Sequence, residues 1–426
     1  MKNDTAFEMA TSNIRYGQGV TGEVGMDLKD LGMRHVLVVT DKHLADLPPV
    51  LRVRASLEKE GVSYAVFDDV RVEPTDASMK AAIGFAQAGN FDAVVAVGGG
   101  SVIDTAKMAN LYATYPVDDF LHYVNAPIGN GAPVPGPLKP LIAIPTTAGT
   151  GSETTGVAIF DLLEMHAKTG VAHRYMKPTI GLIDPDNTRT LPVEVAVSSG
   201  LDVLSHAIES YTAVPYDQRP HPGRPLLRPA YQGSNPLSDL WSLQALRMVN
   251  TYLPRAAADR EDDEARGMML LAAAYAGVGF GNAGVHLPHG MSYPVSGMVK
   301  DYRQPGYPVD YPIVPHGISV ILNAPAVFRF TAPACPDRHL EAAAALGVDT
   351  SSAKEADAGA ILSDRIVEIM QSLNVPNGLS ALGFTSADIP ALVQGTLPQH
   401  RVTKLSPKPA SESDLTSMFE AAMRYW

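Results

Sequence analysis

The sequence is poor in cysteine and has no excess of basic residues. Its single cysteine, Cys335, has no partner for an internal disulfide, and a zinc site built from cysteine thiolates is excluded by count. Acidic residues outnumber lysine and arginine by 45 to 33, which gives a net charge of −12. Such a charge repels nucleic acid and anionic membrane surfaces, so we expect neither as a partner.

Targeting and membrane-spanning patterns are also missing. The N-terminal segment MKNDTAFEMATSNIRYG contains acidic residues and no apolar core, so no secretory signal or arginine-rich transit peptide is visible. We therefore expect a cytoplasmic protein. Residues 267–285 are uncharged but rich in glycine and alanine. This composition favours a buried, closely packed helix over a membrane span.

The length and the order of apolar runs indicate two domains. A chain of 426 residues exceeds the roughly 250 to 300 residues that one hydrophobic core serves. Apolar runs alternating with helix-compatible segments predict a Rossmann-like α/β domain with a parallel sheet over residues 1–190. Ala-, Leu- and Met-rich stretches with helical spacing then predict an all-helical domain over residues 191–426. The expected strands are 35–40, 64–68, 93–97, 141–145 and 180–183, with helices at 51–60 and 78–88.

Two glycine-rich loops follow predicted strands of the first domain. The sequence VGGGS places Gly98, Gly99 and Gly100 before a helix, where backbone amides attract phosphate groups. The second loop, IPTTAGTGSE, adds several hydroxyls, and two such loops at strand ends favour a nucleotide. Asp41 ends the first strand, where a carboxylate can bind ribose hydroxyls and disfavour NADP. A plain tight turn at the glycines and a helix N-cap role for Asp41 are the structural alternatives.

A carboxylate and several histidines suggest a metal site in the second domain. Asp202 and His206 lie four residues apart in GLDVLSHAIESY, so on a helix both side chains face the same way. A hydrogen-bonded pair is the alternative for this spacing alone. His289 and His316, each followed by glycine, strengthen the interpretation, and a carboxylate with imidazoles suits Fe(II) or Zn(II). His286 is open to interpretation as a ligand, a supporting group or a structural histidine.

Together these motifs resemble the iron-containing (group III) alcohol dehydrogenases. GGGS, TTAGTGSE, GLDVLSHAIESY, the HGM segment and PHG occur in the family's order along nearly the whole chain. The resemblance implies the dehydroquinate synthase-like fold, with an α/β Rossmann-like N-terminal domain and an all-α C-terminal domain. It also implies NAD as cofactor and a metal, Fe(II) or alternatively Zn(II), held by Asp202, His206, His289 and His316. The residues that it assigns to the cofactor cleft are Asp41, Thr75, Gly99, Gly100, Ser101, Thr146, Thr147, Ser152 and Lys168.

Longer strings, among them VRVEPTDAS, RPAYQGSNP and GTLPQHRVTKLSP, resemble one branch of this family. The resemblance implies oxidation of 4-hydroxybutyrate to succinic semialdehyde and reduction of 2-oxoglutarate to D-2-hydroxyglutarate through a bound NAD. The animal enzymes of this type are mitochondrial and begin with a targeting segment, which leads us to expect a bacterial cytoplasmic protein here, and a mitochondrial one only if a targeting segment has been removed. The alternative is an ordinary NAD-dependent alcohol or 4-hydroxybutyrate dehydrogenase that releases NADH. Both acids need basic groups, and Arg224 and Arg228 in the 215–236 loop are the predicted carboxylate ligands. Solvated loop arginines without a binding role are the alternative. Tyr293 stands where many family members have a further histidine, and we group it with the substrate residues.

Two hypotheses from other functional classes are alternatives to an oxidoreductase. A metal-dependent lyase of the dehydroquinate synthase type has a related fold and binds NAD. It needs several lysines and arginines for a phosphorylated substrate, and the sequence has no such cluster near the predicted ligands. A non-catalytic metal-binding scaffold is the other alternative. For the oxidoreductase we expect small hydroxy-acid and oxo-acid substrates and assembly as a homo-oligomer.

Overall fold

The chain folds into two units that are not contiguous in sequence. A computed structural model describes residues 2–165 and 167–426. The sheet unit comprises Ala10–Leu191 and Glu261–Gly277, and the helical unit comprises residues 2–9, Pro192–Arg260 and Val278–Trp426. The division expected at residue 190 therefore puts two short segments on the wrong side.

Local contacts explain both exceptions. In the helical unit the buried carboxylate of Asp4 pairs with Arg219 and Arg228, which fixes residues 2–9 there. In the sheet unit the Arg266 guanidinium donates to the carbonyl oxygens of Thr188 and Leu191 at 2.8 and 2.9 Å. Neither attachment follows a hydrophobic periodicity, so the sequence pattern does not predict it.

The sheet unit is built on a six-stranded parallel sheet. The strands are β1 Asn13–Tyr16, β2 His35–Val39, β3 Ser63–Phe67, β4 Ala93–Gly98, β5 Leu141–Pro145, β6 Val157–Leu162, β7 Ala167–Ala172 and β8 Ile180–Ile183. All five predicted strands form, and β4 is fully buried because it is covered on both faces. The spatial order in the sheet is β1-β8-β5-β4-β2-β3.

This strand order contains a switch point. The chain passes from β2 outward to β3 and then returns to place β4 on the other side of β2. In such sheets the carboxyl ends of the two strands flanking the reversal form a crevice where ligands bind. The Thr40 hydroxyl donates to the Val97 carbonyl at 2.9 Å, which holds the ends of β2 and β4 together.

Three strands were not expected from the sequence. β1 is largely exposed at the edge of the sheet beside β8, and its four residues, NIRY, are too few to give a clear strand signal. β6 and β7 form an antiparallel hairpin outside the main sheet. Gly170 permits this pairing, because a Cβ there would lie 2.0 Å from the Ala158 carbonyl oxygen.

The helices divide between the two units, and one of them, Asp263–Ala283, belongs to both, because its residues up to Gly277 lie in the sheet unit. The unit with the sheet contains α1 Val24–Asp30, α2 Pro48–Glu60, α3 Asp76–Gly89 and α4 Gly100–Thr114. The remaining helices are α5 Val193–Thr212, α6 Pro236–Ala258, α7 Asp263–Ala283, α8 Leu287–Gly297, α9 His316–Ile321, α10 Ala324–Thr331, α11 Pro336–Ala345, α12 Ala358–Ser372, α13 Ile389–Thr396, α14 His400–Thr403 and α15 Glu412–Ala422. No strand is described after β8, which fits the predicted fold class.

The uncharged stretch at 267–285 falls mostly on α7, which is largely buried. Across the described residues no single helix is long and apolar enough to span a membrane. By length and composition alone, α7 and α8 together would qualify, but they are bent by 105° relative to each other.

The centre of the helical unit is α5, whose second half is buried. It packs against α6 and α9. The contact with α9 depends on Gly317, because a Cβ built there would lie only 1.9 Å from the Ser198 carbonyl oxygen on α5. Glycine therefore sets the closest approach of these two helices.

We predict that Gly317→Ala destabilises the protein. The added methyl group must push α9 away from α5, which we expect to cost about 1 to 3 kcal/mol of unfolding free energy. Urea unfolding followed by circular dichroism measures the change. Gly84→Ala is the matched control, because Gly84 is exposed on α3 with open space around its Cβ position and should gain slightly from the better helix propensity of alanine. Equal midpoints for Gly317→Ala and the wild type would contradict the packing argument.

Candidate metal centre and cofactor loops

Three helices of the helical unit bring the predicted ligands together. Asp202 and His206 lie one turn apart on α5, as their spacing predicted. His289 is in the first turn of α8, and His316 is the first residue of α9. Prolines open both of these helices, since Pro288 lies at the start of α8 and Pro315 caps α9.

The four side chains converge on one point. Asp202 Oδ1 lies 3.7 Å from His206 Nε2, 3.6 Å from His289 Nε2 and 3.9 Å from His316 Nε2. One donor atom from each of the four residues lies within 4.8 Å of every other. Donors about 2 Å from a shared ion in tetrahedral geometry are about 3.4 Å apart, so the set is close to the spacing that one ion requires.

The hydrogen bonding of these atoms fits a cation. Asp202 Oδ1 and His289 Nε2 are buried and have no hydrogen-bond partner in the structure. Leaving such groups without a partner costs free energy, so natural proteins rarely do so without a functional reason. A carboxylate oxygen and an imidazole nitrogen are both ligands that iron and zinc accept. The donor set therefore fits a divalent transition metal.

A second carboxylate on α5, Glu209, orients His289. Its Oε2 contacts His289 Nδ1, and its Oε1 accepts the backbone amides of His286 and His289 at 2.8 and 3.2 Å. The contact at Nδ1 leaves His289 Nε2 directed toward Asp202. Sequence reasoning missed Glu209, although its position one turn or less beyond His206 in GLDVLSHAIESY was a usable signal.

Electrostatics support the same interpretation. Burial raises the pKa of Asp202, but the histidines His206, His316 and His289 lower it more, so the net pKa lies well below the usual range. Burial lowers the pKa of His289, yet Glu209 and Asp202 together raise it well above that of an ordinary histidine. Burial lowers the pKa of His206 to about 3. Two buried carboxylates thus favour positive charge at this point, which a divalent ion would supply.

His286 lies outside this group. It is buried, and its Nε2 lies 3.0 Å from the Thr212 hydroxyl oxygen. Because that hydroxyl already donates its proton to the Ile208 carbonyl, His286 is the donor in this hydrogen bond. Its backbone amide belongs to the Glu209 contact. The structure therefore favours a structural role for His286 among the three that the sequence left open.

In the sheet unit, the predicted cofactor loops end adjacent strands at the switch point. Asp41 follows β2, the glycines follow β4, and Thr146 and Thr147 follow β5. Gly99 caps α4, whose first amides have no intrahelical acceptor and can bind phosphate oxygens. The Ser101 hydroxyl accepts the Glu73 amide at 3.2 Å. The strand order thus gathers residues that are distant in sequence.

Glycine is required at the carboxyl ends of these strands because a larger side chain would collide with the neighbouring loop. A Cβ on Gly100 would lie 2.4 Å from the Thr150 side chain, and one on Gly99 would lie 3.1 Å from the Thr147 side chain. The two loops therefore pack directly on each other. The plain-turn alternative is incomplete, because the glycines serve contact between the loops as well as the turn.

Two of the predicted cofactor residues are engaged within the sheet unit. Ser152 is buried, and its hydroxyl donates to Asp104 and accepts from Lys107, both at 2.6 Å. Lys168 is buried between Glu73 and Asp161, at 2.7 and 3.2 Å. Burial opposes its charge, but these carboxylates raise the pKa of Lys168 above its usual range. Both residues therefore make contacts within the protein at the predicted cofactor loops.

Asp41 and Thr75 have local structural roles as well. The Asp41 carboxylate accepts the amides of His43 and Leu44 at 2.8 and 3.1 Å, so it caps a turn. It is not a helix N-cap, because the next helix, α2, starts further along the chain. Thr75 caps α3 by accepting the Ser78 amide at 3.2 Å in a capping box. Asp41 keeps one carboxylate oxygen outside these two bonds, since both involve Oδ1.

One of the two predicted substrate arginines, Arg228, is paired within the protein, and the prediction for Arg224 is untested. Arg228 donates from Nε and Nη2 to both oxygens of Asp4, at 2.9 and 3.0 Å, so its guanidinium already binds a carboxylate of the protein. Arg224 is exposed beside the exposed Leu226 and Leu227. Tyr293, in contrast, is buried on α8 one turn beyond His289. The composition of the loop suggested free arginines, but it could not reveal the pairing with residue 4.

Comparison with known proteins decides the family. The family description "Iron-containing alcohol dehydrogenase" matches residues 11–185, and "Fe-containing alcohol dehydrogenase family, C-terminal" matches residues 230–423. The chain belongs to the iron-containing alcohol dehydrogenase family. It is an oxidoreductase, which removes the lyase and the non-catalytic scaffold as interpretations.

Curated members of this family are similar over nearly the whole chain. The mitochondrial hydroxyacid-oxoacid transhydrogenases of Mus musculus and Homo sapiens are each 60% identical over 99% of this chain and 91% of their own length. A probable mitochondrial transhydrogenase of Dictyostelium discoideum is 56% identical, over 99% of this chain and 79% of its own. The prediction of a bacterial cytoplasmic location is wrong, because these relatives are mitochondrial enzymes of eukaryotes. The lack of targeting features in the N-terminal segment was not sufficient evidence for that prediction.

Solved structures of the family confirm the predicted fold. A 1,3-propanediol oxidoreductase is 25% identical with a TM-score of 0.85, over 98% of this chain and all of that one. Sulfoacetaldehyde reductase from Bifidobacterium kashiwanohense, solved in complex with NAD+, is 25% identical with a TM-score of 0.80, over 99% of both chains.

We predict that Glu209→Gln weakens metal binding about 10- to 100-fold, because it removes the negative charge that orients and polarises His289. Competition between the metal-free protein and a chelator for Zn(II) measures the affinity. Glu194→Gln, at the exposed start of the same helix, is the control and should bind as the wild type does. Unchanged affinity in Glu209→Gln would remove this residue from the metal centre.

Proposed function

We propose that this protein is a metal-dependent hydroxyacid-oxoacid transhydrogenase that works through a bound NAD. It oxidises 4-hydroxybutyrate to succinic semialdehyde and reduces 2-oxoglutarate to D-2-hydroxyglutarate. The observation that carries this proposal is the 60% identity to transhydrogenases over 99% of the chain, with the four candidate ligands gathered on one point. Assembly as a homo-oligomer remains a prediction.

Asp202, His206, His289 and His316 would hold the metal, with Fe(II) as the first choice and Zn(II) as the alternative. The family description supports iron, and the mixed carboxylate and imidazole donors suit both ions. A metal there supplies Lewis acidity to the substrate oxygen, and NAD supplies the hydride acceptor and donor. Glu209 holds His289 in position for this task. His316 is the one partly exposed ligand, with a quarter of its side chain accessible, so substrate would approach from its side.

NAD would bind at the carboxyl ends of β2, β4 and β5. The amides of Gly100 and Ser101 at the start of α4 would bind the pyrophosphate, and Thr146 and Thr147 would contact the nicotinamide half. Asp41 would accept hydrogen bonds from the ribose through its remaining oxygen. Lys168 and Ser152 would act indirectly, by supporting the loops that bear these groups.

The two half-reactions balance without an external oxidant. Bound NAD would accept the hydride that the alcohol carbon of 4-hydroxybutyrate loses and would return it to the keto carbon of 2-oxoglutarate. The proton lost from the hydroxyl of the first acid is balanced by the proton gained at the keto oxygen of the second. Because one nicotinamide is used by both acids in turn, the first product must leave before the second substrate enters.

We predict that the enzyme prefers NAD to NADP and that Asp41→Asn weakens the preference. Asparagine keeps an acceptor for the His43 and Leu44 amides, so the turn is preserved while the charge that repels a 2′-phosphate is lost. The ratio of the two dissociation constants, measured by fluorescence titration, should fall about tenfold or more. Asp46→Asn, at a nearby exposed aspartate, is the control. A wild type that binds NADP tenfold better than NAD would refute the assignment.

The transhydrogenase activity itself is tested with purified protein, 4-hydroxybutyrate and 2-oxoglutarate, without added NAD. We expect succinic semialdehyde and 2-hydroxyglutarate to form in equal amounts over many turnovers, with parallel double-reciprocal plots. His289→Ala and His316→Ala should lose metal and activity and keep their circular dichroism spectra. A requirement for free NAD in stoichiometric amount would instead establish an ordinary dehydrogenase that releases NADH.

A further inference from the structure

Arg401 is a half-buried cation that contacts the helix bearing His289 and has no acidic partner among the described residues. Its Nη2 donates to the Tyr293 hydroxyl at 2.9 Å, and its guanidinium lies 5.1 Å from the centre of the Tyr231 ring. Its Nη1 is buried and has no hydrogen-bond partner. Within residues 2–165 and 167–426, the charged or polar side chains that act on its pKa are the tyrosines Tyr293 and Tyr231, and no carboxylate is among them. Other half-buried arginines of the helical unit, such as Arg228 and Arg338, do pair with acids.

The fold holds Arg401 beside the helix that carries His289. Arg401 belongs to the short helix α14, which packs against α8. Contact is close because Gly290 has no side chain: a Cβ there would lie 2.7 Å from Thr403 and 3.5 Å from Val402. The residue that permits this approach directly follows the metal ligand His289. The segment is also fixed at its end, since the Leu405 carbonyl accepts the Val214 amide at 2.8 Å.

Tyr293 links Arg401 to the metal-binding face of α8. It lies four residues after His289, so the two side chains stand on the same face, with Cβ atoms about 5 to 6 Å apart. The Tyr293 hydroxyl accepts from Arg401, and in the described chain its own proton has no acceptor. Arg401 Nη1 and the Tyr293 hydroxyl are therefore two adjacent donors that no protein group uses.

The two proposed substrates share one feature that suits this pair. In 4-hydroxybutyrate the carbon that bears the hydroxyl is separated from the carboxylate by two methylene groups. In 2-oxoglutarate the keto carbon is separated from its distal carboxylate by two methylene groups as well. A single carboxylate site, about one helical turn or 5 Å from the oxygen that reacts, would therefore orient both acids in the same way.

We propose that Arg401 and Tyr293 bind the distal carboxylate of both acids and so select carboxylate substrates. This inference rests on the transhydrogenase function proposed above. Guanidinium nitrogen and phenol hydroxyl donate to the two carboxylate oxygens, and the charge of Arg401 gains the partner that the protein does not provide. Arg228, which already binds Asp4, is not needed for this recognition.

Binding of glutarate, an unreactive dicarboxylate, tests the site without turnover. Calorimetry on the metal-loaded protein should show at least about a tenfold rise in dissociation constant for Arg401→Gln, with smaller rises for Arg401→Lys and Tyr293→Phe. Arg247→Gln, at an exposed arginine on α6, is the matched control and should bind glutarate as the wild type does. Thermal unfolding of each variant identifies any loss of folding, and Arg401→Lys keeps the charge if Arg401→Gln unfolds.

Kinetics provide the second readout. Arg401→Gln should raise KM for 4-hydroxybutyrate and 2-oxoglutarate by a similar factor and leave kcat/KM for the neutral 1,4-butanediol nearly unchanged. Equal glutarate binding by wild type and folded Arg401 variants overturns the inference, even if exchange between the acids occurs. Glutarate binding that depends on Arg401, in a protein that cannot exchange hydride between the acids, supports the carboxylate site and rejects the transhydrogenase function.

Discussion

The helical unit depends on how it accommodates two carboxylates buried on one helix. Asp202 and Glu209 are both almost fully inaccessible on α5, and neither is neutralised by lysine or arginine. Burial of charge in a protein interior is costly unless an opposite charge compensates for it. His289 lies between them and takes part of that role, which explains why the pKa of this histidine is raised. A divalent cation at the four converging donors would complete the compensation.

Close helix contacts at two glycines position the other helices of the site around α5. Gly317 lets α9 approach α5 and so brings His316 toward Asp202. Gly290 lets α14 approach α8 and so brings Arg401 to Tyr293, one turn from His289. Each of these glycines directly follows a candidate metal ligand. In the sequence motif of histidine followed by glycine, the histidine is a candidate ligand and the glycine allows the neighbouring helix to pack closely.

Arginine pairing distinguishes structural from recognition roles in the helical unit. Arg219 and Arg228 share the buried carboxylate of Asp4 and lower its pKa to about 2, Arg228 most strongly, so they fix the N-terminal segment. Arg401 has only tyrosines around it and one unused donor. Arg228 and Arg401 thus differ in their partners, and the difference lies in whether the fold places an acid beside them.

Local pattern was sufficient for much of this protein. The apolar runs determined five strands of the parallel sheet, and the spacing of Asp202 and His206 placed both on one helix face, because each depends only on residues near in sequence. Strand order, the two exchanged segments, the use of Glu209 and the pairing of Arg228 with Asp4 were decided by tertiary structure. They join residues tens to hundreds of positions apart, and a single sequence carries no periodicity that links such residues.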